Sequence, residues 1–149
     1  MRRLASGAAL AASLLLVAGC GESAAEHDAE FGAAADTSTC AQDAQQVSSY
    51  PDGFPARFPF PPKTVVFHAE DRGADGVVVT GVTRTPFKQV LASLNGPTQR
   101  AGFKVTDGET EEHDAEANWT GNGYRGRWAI RESGSCPGQT VVQVLSAKS

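Results

Sequence analysis

The tetrapeptide Gly121-Asn122-Gly123-Tyr124 constrains this chain more than any other stretch. Asn-Gly between two apolar-polar alternating runs is the strongest short-range signal for a β-hairpin, because both central residues of a type I′ turn need positive φ. With Asn122-Gly123 in the turn, the strand Ala115–Thr120 is set in register against Tyr124–Glu132. Ala115 then faces Ile130, Ala117 faces Trp128 and Trp119 faces Gly126. On the other side Asp114 meets Arg131, Asn118 meets Arg127 and Thr120 meets Arg125. One face is apolar and the other polar and paired, so a slip of one residue would exchange the two.

More strands are expected around this hairpin. Thr64–Glu70 (TVVFHAE) and Val77–Arg84 (VVVTGVTR) are apolar and β-branched, and the turn-forming residues 71–76 join them. Phe103–Thr106 is short, and Gln139–Ser146 (QTVVQVLS) comes last. Between the two groups, Thr85-Pro86 reads as an N-cap followed by proline at the first helical position. Phe87, Val90, Leu91, Leu94, Thr98 and Ala101 follow at helical spacing. Asn95-Gly96-Pro97 interrupts them: the helix either stops at Asn95 or kinks and continues to Ala101, and the surviving period favours the kink. The expected fold is α+β: an antiparallel sheet of about five strands with one helix on one face, in the order ββαβββ.

Ahead of the first strand, Tyr50 to Pro62 alternates aromatics with prolines. Proline excludes helix and central strand, so this stretch is expected to run extended, with a cis bond open to any of its aromatic-proline pairs. Phe54, Phe58 and Phe60 are expected to cover the core or a sheet edge; the alternative is an exposed anchor for a partner.

The N-terminus carries a different kind of signal. Met1-Arg2-Arg3 is cationic, and Leu4 to Val17 is an uncharged Ala/Leu run, about 20 Å long as a helix and short for a bilayer core of about 30 Å. It ends in Leu16-Val17-Ala18-Gly19-Cys20, which resembles the lipobox of bacterial lipoproteins. The resemblance implies a signal peptide over 1–19, cleavage before Cys20, and lipid (diacylglyceryl, with palmitate-type acyl chains) on the Cys20 thiol. The expected location is the extracytoplasmic face of the cell membrane, held by acyl chains. With Cys20 assigned to lipid, Cys40 and Cys136 are left as an even pair in an oxidising compartment, so a disulfide is expected. The chain-entropy model puts such a loop at roughly 4–5 kcal/mol. Residues 21–39 are Gly, Ala, Ser, Thr and acids with one aromatic, Phe31, and read as a tether. The expected organisation is therefore signal peptide 1–19, lipidated tether 20–39 and domain 40–149.

The domain also resembles small uncharacterised lipoproteins of high-GC Gram-positive bacteria, through Phe58-Pro59-Phe60-Pro61-Pro62 and Trp119-Thr120-Gly121-Asn122-Gly123-Tyr124. That resemblance implies fold and location and carries no activity.

Charge excludes one class of partner. The whole chain carries 13 Lys+Arg against 17 Asp+Glu, and removal of Arg2 and Arg3 takes the net charge from −4 to −6. An acidic product of this kind is not expected to bind nucleic acid. Nothing in the sequence marks a catalytic centre, a metal site or a cofactor. Glu-His-Asp-Ala-Glu occurs at 26–30 and again at 112–116, without the ligand spacing of a zinc motif. His68, with Val66 and Glu70 on one face by alternation, could pair with Glu70 for acid-base work, but a hydrogen-bonded surface histidine is the simpler expectation. No Gly-x-Ser-x-Gly is present. Asn118-Trp119-Thr120 matches a glycosylation sequon and is discounted inside a bacterial hairpin. Arg125, Arg127 and Arg131 form a stripe that could receive an anionic cell-envelope partner, partly neutralised by Asp114 and Glu116. The expected function is a membrane-anchored binding or interaction module with a protein or cell-envelope partner. The rivals are an extracellular enzyme or metal-dependent protein using His68 or His113, and a structural envelope protein.

Overall fold

The computed structural model describes residues 39–149. The expected signal peptide 1–19, the lipidated Cys20 and the tether up to residue 38 lie outside the described residues.

Six strands form one antiparallel sheet: β1 (Val65–Asp71), β2 (Val77–Thr83), β3 (Lys104–Thr110), β4 (Asp114–Gly121), β5 (Tyr124–Glu132) and β6 (Thr140–Lys148). The spatial order is β1-β2-β6-β5-β4-β3. One helix, α1 (Phe87–Ser93), connects β2 to β3 at the far edge. The chain order is thus ββαββββ: each of the six stretches read as strands from sequence is one, and the expected total of about five in the order ββαβββ is one short. The stretch after the helix, expected as the short Phe103–Thr106, extends to Thr110 because a bulge between Val105 and Asp107 restores its pairing with β4. Gly108 permits the close approach there, since a Cβ at that position would collide with the Glu116 carbonyl.

The β4–β5 hairpin has the register expected from Asn122-Gly123, pair by pair from Asp114↔Arg131 to Thr120↔Arg125. Asn122 and Gly123 have φ of 53° and 81°, as a type I′ turn requires. The Asn122 side-chain amide donates to the Ala101 carbonyl at 3.2 Å, clasping the hairpin tip to the end of the helical segment.

The helix does not stop at Asn95. A π turn over Leu94–Thr98 carries it past Pro97. Proline has no N–H to give the Ser93 carbonyl, and the Thr98 hydroxyl donates to that carbonyl at 3.3 Å. Phe87, Val90, Leu94 and Thr98 stay buried through the turn, so the apolar stripe survives. Thr85 is not the N-cap. Pro86 holds that position, and the Thr85 hydroxyl donates instead to the Pro62 carbonyl at 3.0 Å.

The proline-aromatic segment becomes a strap. The stretch before it runs from the Cys40–Cys136 disulfide (Cα–Cα 5.7 Å) past Gln139, whose Oε1 accepts from the Ala41 N–H, to β1, where the Val47 N–H donates to the Val66 carbonyl at 2.8 Å. The strap then crosses the sheet on the helix side. Phe54 and Phe58 are buried, and the Phe58 ring packs at a tilt against Phe103 (5.2 Å) and Trp119 (5.4 Å). Its carbonyls are held by threonines: Pro59 by Thr98, and Pro62 by Thr83 and Thr85. The expected core role of the phenylalanines is met. All peptide bonds in the described residues are trans.

One face of the sheet is therefore closed. Trp119, Trp128, Ile130, Val142, Val144, Val79 and Val66 pack there against α1 and the strap. Gly126 lies opposite Trp119, and a Cβ on it would collide with the Leu145 carbonyl and meet the indole edge at 2.7 Å. The indole N–H groups of Trp119 and Trp128 have no hydrogen-bond partner among the described residues. Trp119 stands edge-to-face with Phe103 at 5.5 Å, an arrangement that suits an electron-poor ring edge.

Candidate functional site

Side chains alternate along each strand, so the residues opposite the core project to the other face of the sheet. Among the described residues no helix covers that face. Cross-strand register sets its rows. Lys104, Thr120, Arg125 and Ala147 form one row. Asp107, Asn118, Arg127, Leu145, Val78 and Glu70 form the next. Glu109, Glu116, Ala129, Gln143, Thr80 and His68 form the third. Across these rows lies a groove of about 840 Å³, bounded by the β1–β2 loop (Arg72, Asp75) on one side and by Thr106 and Asp107 of β3 on the other. Its floor includes Val78, Leu145, Ala129 and Ala147.

The groove's charges are largely committed. Arg127 and Glu116 form an ion pair on adjacent strands, with side chains 21% and 23% exposed. Arg72 is 3.3 Å from Glu70. The Asp107 carboxylate accepts from the Asn118 amide at 2.8 Å and from the Thr106 hydroxyl at 2.8 Å. These two hydrogen bonds, the Asn118 one foremost, favour the charged form and hold the Asp107 pKa below the usual carboxylate value. Arg125 is exposed and makes no ion pair or hydrogen bond among the described residues.

The expected arginine stripe divides in this geometry. Arg125 and Arg127 line the groove. Arg131 lies one row beyond it, 4.0 Å from Asp114. The groove's further polar groups, Asp107, Gln143 and Arg72, were not singled out from sequence. They reach one surface only because β6 inserts between β2 and β5, a pairing with no local signal.

The two histidines are placed apart. His68 is 3.8 Å from Glu70, and its side chain is 57% exposed. Strand alternation put His68 on the face of Val66, and the structure corrects this. A register shift at Phe67 leaves Val66 opposite Gly81 in the core and His68 opposite Thr80 on the open face. His113 Nδ1 is 3.0 Å from Glu132, and its Nε2 is 3.8 Å from Glu112, at the exposed β3–β4 loop. Among the described residues no group of three or more His, Cys, Asp or Glu side chains is placed to hold a metal ion. Ser133 is buried in the β5–β6 loop, where its hydroxyl accepts from the Cys136 N–H at 3.1 Å.

Comparison with known protein families, with curated proteins and with solved structures returned no match.

Proposed function

We propose that this chain is a lipid-anchored, extracytoplasmic binding module whose uncovered sheet face receives its ligand. The groove of about 840 Å³ on that face carries the proposal. It is within the range of about 300–1,000 Å³ typical of small-molecule and cofactor pockets. Its construction also suits binding: an apolar floor at Val78 and Leu145, fixed dipoles at Asn118 and Gln143, and at Arg125 a guanidinium without a partner among the described residues. A guanidinium without a partner favours a ligand bearing carboxylate or phosphate oxygens. The anchoring half of the proposal is supported by Leu16-Val17-Ala18-Gly19-Cys20 and by the disulfide, which belongs to an oxidising compartment.

The two halves have separate tests. Metabolic labelling with a fatty acid should mark the wild type and leave Cys20→Ser unlabelled; equal labelling of both would remove the anchor. For the groove, native protein and Leu145→Arg, which fills the floor, would be used to capture ligands from membrane and cell-wall fractions. Ligands enriched by the native protein and lost with Leu145→Arg support the proposal. An identical profile for the two proteins rejects it.

A further inference from the structure

Carboxylates are absent from two long stretches of the chain, residues 53–69 and 76–106. These supply the strap, the β2–α1 turn and the whole helical segment. Their cations are not absent. Arg57 and Lys63 lie on the strap, Arg84 on the turn, and Lys88 and Arg100 on the helical segment, and all five are exposed. None of the five makes an ion pair or a side-chain hydrogen bond among the described residues. Most of the described acids lie elsewhere, with Glu109, Glu111, Glu112, Asp114 and Glu116 on β3, β4 and the loop between them, while Asp43 stands beside Cys40. The nearest acid of the strap, Asp52, precedes the carboxylate-free stretch.

The strap and helix run side by side. The Pro59 carbonyl is bonded to Thr98 near one end of the helical segment, and the Pro62 carbonyl to Thr83 and Thr85 at the other. Arg57 and Arg100 therefore belong to one end of this layer, and Lys63, Arg84 and Lys88 to the other. Cys40, the described cysteine nearest Cys20 along the chain, lies at the second end. Cys40 is bonded to Cys136, Ala41 to Gln139, and Thr140 to the Thr85 carbonyl at 3.0 Å. The nineteen residues between Cys20 and Cys40 span at most about 70 Å of extended chain.

We propose that the helix-and-strap face, through Arg57, Lys63, Arg84, Lys88 and Arg100, docks on an anionic lipid bilayer. An anionic lipid surface attracts basic residues additively within a Debye length, and an attachment point beside the patch keeps the patch near that surface. The docked orientation turns the groove, on the opposite face of the sheet, away from the bilayer. This inference rests on the anchored reading for its biological setting, but its test does not depend on lipid at Cys20.

The test uses residues 20–149 with Cys20→Ser, which include every described element. Flotation is measured with vesicles containing phosphatidylglycerol and with vesicles of phosphatidylcholine alone. The expected result is binding to the anionic vesicles only, weakened at least about tenfold when ionic strength rises from about 0.01 M to about 1 M. The exposed triple change Lys63→Glu, Arg84→Glu and Lys88→Glu should abolish binding, with the far-ultraviolet spectrum and melting temperature retained. Lys148→Glu, at the other end of the sheet, should bind as the parent does. Equal binding to neutral vesicles, unimpaired binding of the triple variant, or capture by a soluble polyanion but not by vesicles would each overturn the proposal. A negative fatty-acid labelling result with positive flotation would reject the anchor and leave this face standing.

Discussion

The two faces of the sheet are built from the same strands, residue by alternate residue, yet they follow opposite rules. The closed face stacks Trp119, Trp128, Ile130, Val142 and Val144 under a helix and a strap of aromatics. The uncovered face places Arg127 beside Glu116, Asp107 beside Asn118, and leaves Arg125 free of partners among the described residues. Burial is non-directional and grows with area, at roughly 25 cal/mol per Å², whereas exposed ion pairs contribute about 0–1 kcal/mol. Stability should therefore reside on one face and recognition on the other. The boundary is not sharp. Val82 and Val141 project to the uncovered face and are still fully buried, at the end of the sheet spanned by residues 41–47.

The comparison is open to direct attack. The largest effect is expected from Trp119→Ala, which removes a ring packed against Phe58, Phe103 and Gly126. It should cost about 3–5 kcal/mol in chemical denaturation; a loss under 1 kcal/mol would mean that the closed face is not where stability lies. Next comes Thr140→Val. Its buried hydroxyl donates to the Thr85 carbonyl, and leaving that acceptor unpaired should cost about 1–3 kcal/mol by the same measurement. On the uncovered face, a double-mutant cycle of Arg127→Ala and Glu116→Ala should give a coupling of about 0.5–1 kcal/mol, decreasing with added salt. Arg125→Ala should leave stability within about 0.5 kcal/mol while weakening ligand capture, which separates the two faces most cleanly.

Acid should reach the uncovered face in a defined way. The Asp107 pKa is lowered in the folded state by the Asn118 and Thr106 hydrogen bonds. The folded state then binds fewer protons than the unfolded one near that pH, so the contribution is present above the unfolded carboxylate pKa and disappears as pH falls through the folded value. Carboxyl chemical shifts followed against pH should show Asp107 titrating below the ordinary aspartate range. Asn118→Ala should bring it back up. An unchanged titration in that variant would mean that the hydrogen bond does not set it.

Much of the closed face was legible because its signals are local. Asn122-Gly123 dictated the turn, the turn dictated register, and register decided which side of β4 and β5 is apolar. The helical stripe from Phe87 to Thr98 was equally visible, since period alone identifies it. Where local alternation failed, a bulge was responsible. The extra residue at Phe67 turned His68 away from Val66, and the one near Thr106 lengthened β3. A bulge adds one residue to a ladder and leaves the composition untouched, so a period-2 pattern does not announce it. Thr85 illustrates a second kind of failure. It was expected as the N-cap, but Pro86 holds that position, and the Thr85 hydroxyl donates to the Pro62 carbonyl, which is distant in sequence.

The five cations of the helix-and-strap layer lay in plain view as carboxylate-free stretches, yet their common surface was not. Sequence by itself determined the hairpin, the helix period and the pairing of cysteines once Cys20 was set aside. Those features depend on neighbours along the chain or on counting. Only the tertiary structure decided that β6 inserts between β2 and β5, that the strap lies beside the helix, and that Arg72, Asp107 and Gln143 share a groove. The reason is physical: backbone hydrogen bonds between strands carry no side-chain identity, so strand order is selected by which arrangement buries the apolar faces together.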